Sequence, residues 1–437
     1  MESTIVEDRV REPDPESAAP WSPATRVAFR FFFCYFCLFL VSNSPLVTLL
    51  PFHGFLMAKH AALWTAVVGG LEKHLLHTGY ELYLTEGEAA VSNTAFGTIL
   101  CFCYLAIAAV ATAAWSALDR RRLQYRRFHQ VFRYLLRFSL ALTMISYGVL
   151  KVIPTQMISP PPLGLLTQPV GDLTRMRLLW ISTGASPAYE TLVGCAELLG
   201  AVLLLLPRTT LLGGLLCAAN LSMVFVLNMC YDVHVKLYSF HLLVMALLLV
   251  APDAPRLANL FLFNRATDPS PALPVASNRW VNRGLQALLL AFCLFKIGAE
   301  FQETWARYKT FHPPRPPLYG IWNVEALTLD GREVPATDDP ARWRWVGFFR
   351  PGAVTIKHAL GSNQTYALDL DLKNRTMILR GKAPGPPPAR LSITAPEDGA
   401  MILEGVLNGH ATRAKLRKMA LISRPFHWMF EAPKEDR

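Results

Sequence analysis

The sequence predicts a polytopic α-helical membrane bundle of about seven transmembrane helices, followed by a small antiparallel all-β barrel or sandwich. Three observations carry this. Of 437 residues, 52% are hydrophobic and only 17% charged, and the mean hydropathy is +0.28, too oily for a water-soluble chain of two or three domains. Apolar windows of about 20 residues, enough to cross about 30 Å of hydrocarbon, recur as far as Phe301. Beyond them Pro313, Pro314, Pro316 and Pro317 lead into short β-branched and aromatic runs separated by turn signals.

Residues 1–25, rich in Glu, Pro and Ser, read as a disordered cytoplasmic tail rather than a cleavable signal. The transmembrane domain is expected over 26–303, with spans near 27–50, 96–118, 132–153, 187–206, 211–231, 236–251 and 280–301. Between the first two, 55–77 mixes apolar residues with Lys59, His60, Glu72, Lys73, His74 and His77, the pattern of an amphipathic helix on the outer surface. His60, His74 and His77 invite a metal reading. A wet polar face is the plainer one, because no third carboxylate or Cys ligand is placed with them.

Loop charges set the orientation. Arg120, Arg121, Arg122, Arg126, Arg127 and Arg133 crowd between the second and third spans, and Arg256, Arg265, Arg279 and Arg283 precede the seventh. Those loops are expected in the cytoplasm, which puts the C-terminal domain outside, in the periplasm of a protein of the bacterial inner membrane. The net charge of +11, from 43 Lys+Arg against 32 Asp+Glu, follows from the same rule, so no nucleic-acid partner is expected. All eight cysteines fall in or beside apolar runs, indicating neither a disulfide framework nor a zinc site. Cys34 and Cys37, three apart on a helix, read as packing residues, since an apolar setting raises the thiol pKa a redox pair would need lowered.

A Pro-rich linker is expected over 304–317 and an extracytoplasmic β domain over 318–437. Strand-like runs occur at 320–329, 343–349, 366–372, 376–379, 391–394, 401–407, 411–419 and 426–430, punctuated by Asp330-Gly331, Pro351-Gly352, Lys373-Asn374 and Asn408-Gly409. Gly320-Ile321-Trp322 resembles the Gly-x-Trp start of the lipocalin-like barrels, in which the Trp closes one end. A barrel near eight strands is narrow enough to be filled by its own side chains, so no ligand is implied. Arg413, Lys415 and Arg417 share one strand face, either as solvated surface or as a contact for anionic lipid headgroups.

The charges inside the apolar runs are the functional signal, since each costs about 2.5 to 3.5 kcal/mol at mid-membrane. Lys151, Glu190, Asp232, Lys236, Lys296 and Glu300 are all expected toward the outer side. Glu197 is deepest, ten residues or about 15 Å of helix after Pro187. Glu190, Gly194 and Glu197 share one helix face, Asn228 and Asp232 are four apart, and His241 enters the bundle after Lys236. Lys151, Asp232, Lys236 and Glu300 can reach the headgroups; Glu197 cannot. It is either half of a structural Lys–Glu pair or a working residue, with Lys151 or Lys296 as partner.

From 132 to 253, four spans contain Tyr147-Gly148-Val149-Leu150-Lys151, then Glu197-Leu198-Leu199-Gly200 opening a Leu-rich stretch, then a Pro207-Arg208-Thr209-Thr210 turn. This resembles the DoxX-like membrane proteins, whose four-helix core has a Gly-x-x-Lys end on its first helix and a Glu-Leu-x-Gly start to its second. The match carries over Gly148, Lys151, Glu197 and Gly200. The resemblance implies a component of quinone-linked membrane redox chemistry, a subunit of a quinone-linked oxidoreductase. Its partners would be a membrane lipid or quinone and a redox or assembly protein. The added spans and β domain depart from the plain family pattern and put a thiosulfate activity in doubt. No haem, flavin or iron–sulfur signature is present, so the only cofactor implied is a quinone. On this reading Glu197 and Lys151 are the catalytic residues, and Glu190, Asp232, Lys236, His241 and Lys296 bind the ligand. The competing expectation is a non-enzymatic anchor that holds the β domain at the membrane. A membrane segment followed by a β-rich domain is also similar to the vitamin K-dependent carboxylase group, though no catalytic lysine aligns.

Overall fold

The computed structural model describes residues 20–80, 82, 93–157, 163–267, 278–335, 339–360, 363–381, 388–395 and 399–420. The chain forms two compact units, Met1–Ser159 with Thr174–Ala306, and Pro160–Leu173 with Arg307–Arg437. Most of the expected N-terminal tail and the expected strand at 426–430 lie outside the described residues.

In the first unit α1 (Pro23–Asn43) starts on the Ser22 cap with Pro23 at its first position. Then follow α2 (His53–Leu71), extended by a π turn over Glu72–Leu76, α3 (Ala95–Leu118) and α4 (Arg126–Val152). A short helix, α5 (Leu163–Leu166), belongs to the second unit. α6 (Arg175–Gly184), α7 (Pro187–Leu205), α8 (Thr210–Cys230), α9 (Lys236–Val250) and α10 (Ala254–Phe261) complete the bundle with α11 (Arg279–Phe311). α11 runs ten residues beyond the expected span end at Phe301 and into the expected linker. The segment after Phe301 holds no proline before Pro313, so nothing stops the helix earlier.

Among the described residues eight helices are long and apolar enough to cross a membrane: the seven expected spans and α2. α2 has apolar residues around its whole circumference rather than on one stripe, which is why it meets the length and hydropathy of a span where an amphipathic surface helix was expected. Its connections return the chain to one end of the bundle. Arg30 on α1 bonds Ser116 at the close of α3, and Ser42 bonds Tyr104 nearer its start, so α1 and α3 are antiparallel. Thr78 and Tyr80, just past α2, line a 580 Å³ cavity with Asn93, Ala95 and Ile99 at the start of α3. α2 therefore leaves from and rejoins the same end of the α1–α3 pair.

α4 is the central helix. It lies antiparallel to α7, with Thr191 Oγ1 bonding the Val152 carbonyl and Arg137 bonding the Leu205 carbonyl. Glycines make the close approach possible: a Cβ on Gly194 would lie 2.6 Å from the Val152 nitrogen and 2.7 Å from the Gly148 oxygen. A Cβ on Gly213 of α8 would meet the α7 backbone at 2.7 Å, and one on Gly214 a Val250 methyl of α9 at 3.0 Å. Without a hydrophobic drive between helices in lipid, such small-residue contacts supply the packing.

The second unit is a closed antiparallel barrel built on β1 (Gly320–Leu329), β3 (Trp343–Arg350), β4 (Ala353–His358), β5 (Asn363–Asp371), β6 (Thr376–Arg380), β7 (Ala389–Thr394), β8 (Ala400–Leu407) and β9 (His410–Lys418), with the two-residue β2 (Arg332–Glu333) paired to β1. Neighbours in sequence pair around the meander and β9 closes onto β1. The sequence reading lacked β4, whose alternation is only Val354 and Ile356. Trp322, Phe348, Ile356, Met377, Leu391, Leu403 and Leu416 fill the interior. Trp322 donates to the Leu318 carbonyl, and Lys418 lies over its ring at the closing end.

On the outer wall Trp345 is buried, only 5% exposed, although it faces away from that core. The cover is α5. α5 contacts β1 and β3, and Gly164 lies where an added Cβ would be 3.4 Å from the Phe349 ring, itself edge-on to Trp345. The barrel unit is thus discontinuous in sequence and includes residues well before the expected start at 318.

Candidate functional site

Lys151 and Glu197 form the most buried ion pair in the helical unit among the described residues, with side chains 7% and 3% exposed. Lys151 Nζ donates to both carboxylate oxygens, at 2.9 and 2.7 Å, and sits 5.5 Å from the centre of the Tyr147 ring. The α4–α7 register sets Lys151 level with Gly194, and Glu197 lies three residues, or about 4.5 Å, deeper along α7. The lysine therefore does not reach for the nearer helix end. Its stem runs back along α4, the direction in which a helical side chain leans.

The glycine contact walls the pair in. A Cβ on Gly194 would come within 2.7 Å of Lys151 Cβ, and one on Gly148 within 2.7 Å of Leu198. Both Glu197 oxygens are hydrogen-bonded, which is what makes a buried charge tolerable. Gly200, the remaining position carried over by resemblance, lies against Cys217 of α8.

The other expected site residues are placed elsewhere. Glu190 is fully buried on the same face of α7 and accepts from the Met157 amide just past α4. It holds the α4 exit rather than the lysine. Asp232 and Lys236 bond each other at 2.6 Å in the α8–α9 turn, with the aspartate largely exposed. The Lys236 hydrogen bond holds the Asp232 carboxyl below its ordinary range. Asn228 is not beside Asp232 in function; it bonds Ser239 and ties α8 to α9. Lys296 pairs with Glu300 at 3.1 Å, and Ser146 of α4 donates to that glutamate at 2.8 Å. Of the two lysines considered for Glu197, the structure places Lys151 there.

His241 belongs to a third cluster. Its Nδ1 lies 2.6 Å from the Leu237 carbonyl, which can only accept, so Nδ1 carries the proton and Nε2 accepts from the Tyr35 hydroxyl at 2.5 Å. Phe39 stacks on the imidazole at 4.7 Å, and Cys101 approaches the tyrosine at 3.2 Å. Tyr35 escaped the sequence reading because it sits in an aromatic run that reads as lipid-facing. His60 is held by Trp64, which donates to its Nε2 at 2.9 Å.

On the barrel, Arg417 and Lys415 both bond Glu325 of β1, and Arg413 lies across from Glu404 of β8. Two carboxylates thus flank the cationic stripe.

Over 125 residues the chain is 32% identical to the uncharacterized protein YwoB of Bacillus subtilis (strain 168), a stretch that covers 29% of this chain and 79% of that relative. The chain belongs to the YwoB family. No protein-family model matches it and no solved structure matches it. The YwoB match accounts for less than a third of the chain.

Proposed function

We propose that the chain is a DoxX-like integral membrane protein of the bacterial inner membrane, a quinone- or lipid-linked component of a membrane redox system with Lys151 and Glu197 as its working pair. The supporting observation is the direction of the lysine. A lysine kept only to anchor a helix end extends to the headgroups, whereas Lys151 turns inward to a carboxylate that cannot reach them. The Arg-rich loops favour a cytoplasmic N-terminus and a periplasmic barrel.

A carboxylate beside an ammonium suits a hydroxylated aromatic head group: one accepts its proton and the other holds the oxygen left behind. A bound quinol would supply that hydroxyl, with its electrons destined for a redox partner protein. Glu197 would take the proton of that one hydroxyl and Lys151 would hold the oxygen left behind, the second hydroxyl losing its proton outside the pair. The pair must part for this, and Tyr147 offers Nζ an aromatic face on which to rest.

The test is a complementation or quinone-binding assay on well-inserted variants. Glu197→Gln should abolish function while leaving the protein folded, and adding Lys151→Met should not restore it. Full activity in the double variant would sink the working-pair reading. It would favour a non-enzymatic anchor, a reading that the filled barrel interior supports, since partners would then meet the barrel's surface and loops.

A further inference from the structure

The Arg-rich end of α4 carries an excess of positive charge that the Lys151–Glu197 pair does not use. Arg133 and Arg137 are four residues apart, so their guanidinium groups share a helix face and repel. Arg137 is 5% exposed. Its Nη2 donates to the carbonyl of Leu205, the last residue of α7, at 2.8 Å, where the helix dipole leaves partial negative charge. The rings of Phe138 and Tyr134 lie 4.7 and 5.2 Å from its Cζ. Its Nε–H is buried without an acceptor, and among the described residues no carboxylate pairs with it. Arg133 reaches the Leu249 carbonyl at 3.3 Å and Asp253 at 3.9 Å; Asp253 also bonds Arg256. Arg133 and Arg256 thus share the Asp253 carboxylate, and Arg137 lies beside Arg133. None can shed its charge by deprotonation, and carbonyl dipoles offset only part of it.

What would complete the cluster is an anion that offers several acceptors to planar forks, and phosphate does this best. The position, where α4, α7 and α9 meet at the Arg-rich end, is the level at which a lipid phosphate lies when these helices span a bilayer. We propose that Arg133 and Arg137 hold a phosphate group, a chemistry shared by the phosphodiester of an anionic lipid and by free phosphate. The site is distinct from Lys151, which lies fourteen residues, or about 21 Å of helix, further along α4.

The experiment uses the full chain. Native mass spectrometry measures the phospholipid retained from mixed phosphatidylglycerol and phosphatidylcholine, and melting is followed in phosphatidylcholine nanodiscs with phosphatidylglycerol or inorganic phosphate added. Wild type should retain phosphatidylglycerol preferentially and melt higher with it. Arg137→Gln should reduce retention about fivefold, and Arg133→Gln with Arg137→Gln about thirtyfold. Stabilisation by inorganic phosphate equal to that by phosphatidylglycerol would assign the same site to the free anion. Arg121→Gln, in the exposed loop, should change nothing; a loss there as large as for Arg137 would reduce the effect to general surface charge and overturn the site. If Arg137→Gln does not fold, wild type decides alone: no preference between the two lipids and no response to phosphate overturns the proposal.

Discussion

Lys151 and Glu197 meet from different depths because each leans toward the N-terminus of its own helix. α4 and α7 run antiparallel, so those leans converge, the lysine moving inward and the glutamate outward until Nζ spans both carboxylate oxygens. The Gly148–Gly194 approach brings the two backbones close enough for the reach to succeed.

Stability should expose this coupling. Removing one charge strands the other in an apolar interior, so Lys151→Met or Glu197→Gln alone should cost about 3 to 5 kcal/mol. The double variant should recover most of that. Melting of the purified protein in detergent, arranged as a double-mutant cycle, measures it; additive losses would count against the pair.

The glycine contact can be tested separately. Gly194→Ala places a methyl 2.6 to 2.7 Å from the α4 backbone, and the helices must part at a cost of about 1 to 3 kcal/mol. Gly54→Ala in α2, with nothing within 4 Å, should be neutral or slightly stabilising. Equal melting of the two variants would contradict the close crossing.

Much of this was legible in the sequence. Apolar runs located the spans, and the depth of Glu197 singled it out before any partner was known. Register did the rest: spacing alone left Lys151 and Lys296 as alternatives, because only the helix-to-helix offset decides which lysine arrives. Arg137 was hidden by its neighbours, since an arginine near a run of arginines reads as a topology signal whether or not it is buried. α5 gave no signal, as four helical residues after a proline cluster look like any loop.

Topology can be read by thiol labelling in a cysteine-free background. Cysteines at His53, Tyr80 and Lys373 should react with an impermeant reagent in intact cells, while one at Arg121 should not. Opposite labelling of His53 and Tyr80 would make α2 a true crossing.

The barrel should respond to acid through Asp330. Its carboxylate accepts from His410 at 2.7 Å and from the Ala411 amide at 2.8 Å, and the histidine first, then the amide, hold it below the usual carboxylate range. A depressed carboxyl stabilises fully above its unfolded value of about 4 and less as pH falls through the folded one. Wild type should therefore lose more melting temperature than Asp330→Asn on moving from about pH 6 to about pH 3. Parallel curves would remove the pair from the account.

The sheltering of Trp345 by α5 has a consequence for biosynthesis. On the ribosome α5 is complete long before β3 exists, so the segment must be kept available while the later helices are inserted, and the barrel reaches its final form only by capturing a stretch of chain made much earlier. Assembly order, not only sequence, then governs whether Phe349 and Trp345 end up covered or become a sticky surface on a half-finished protein.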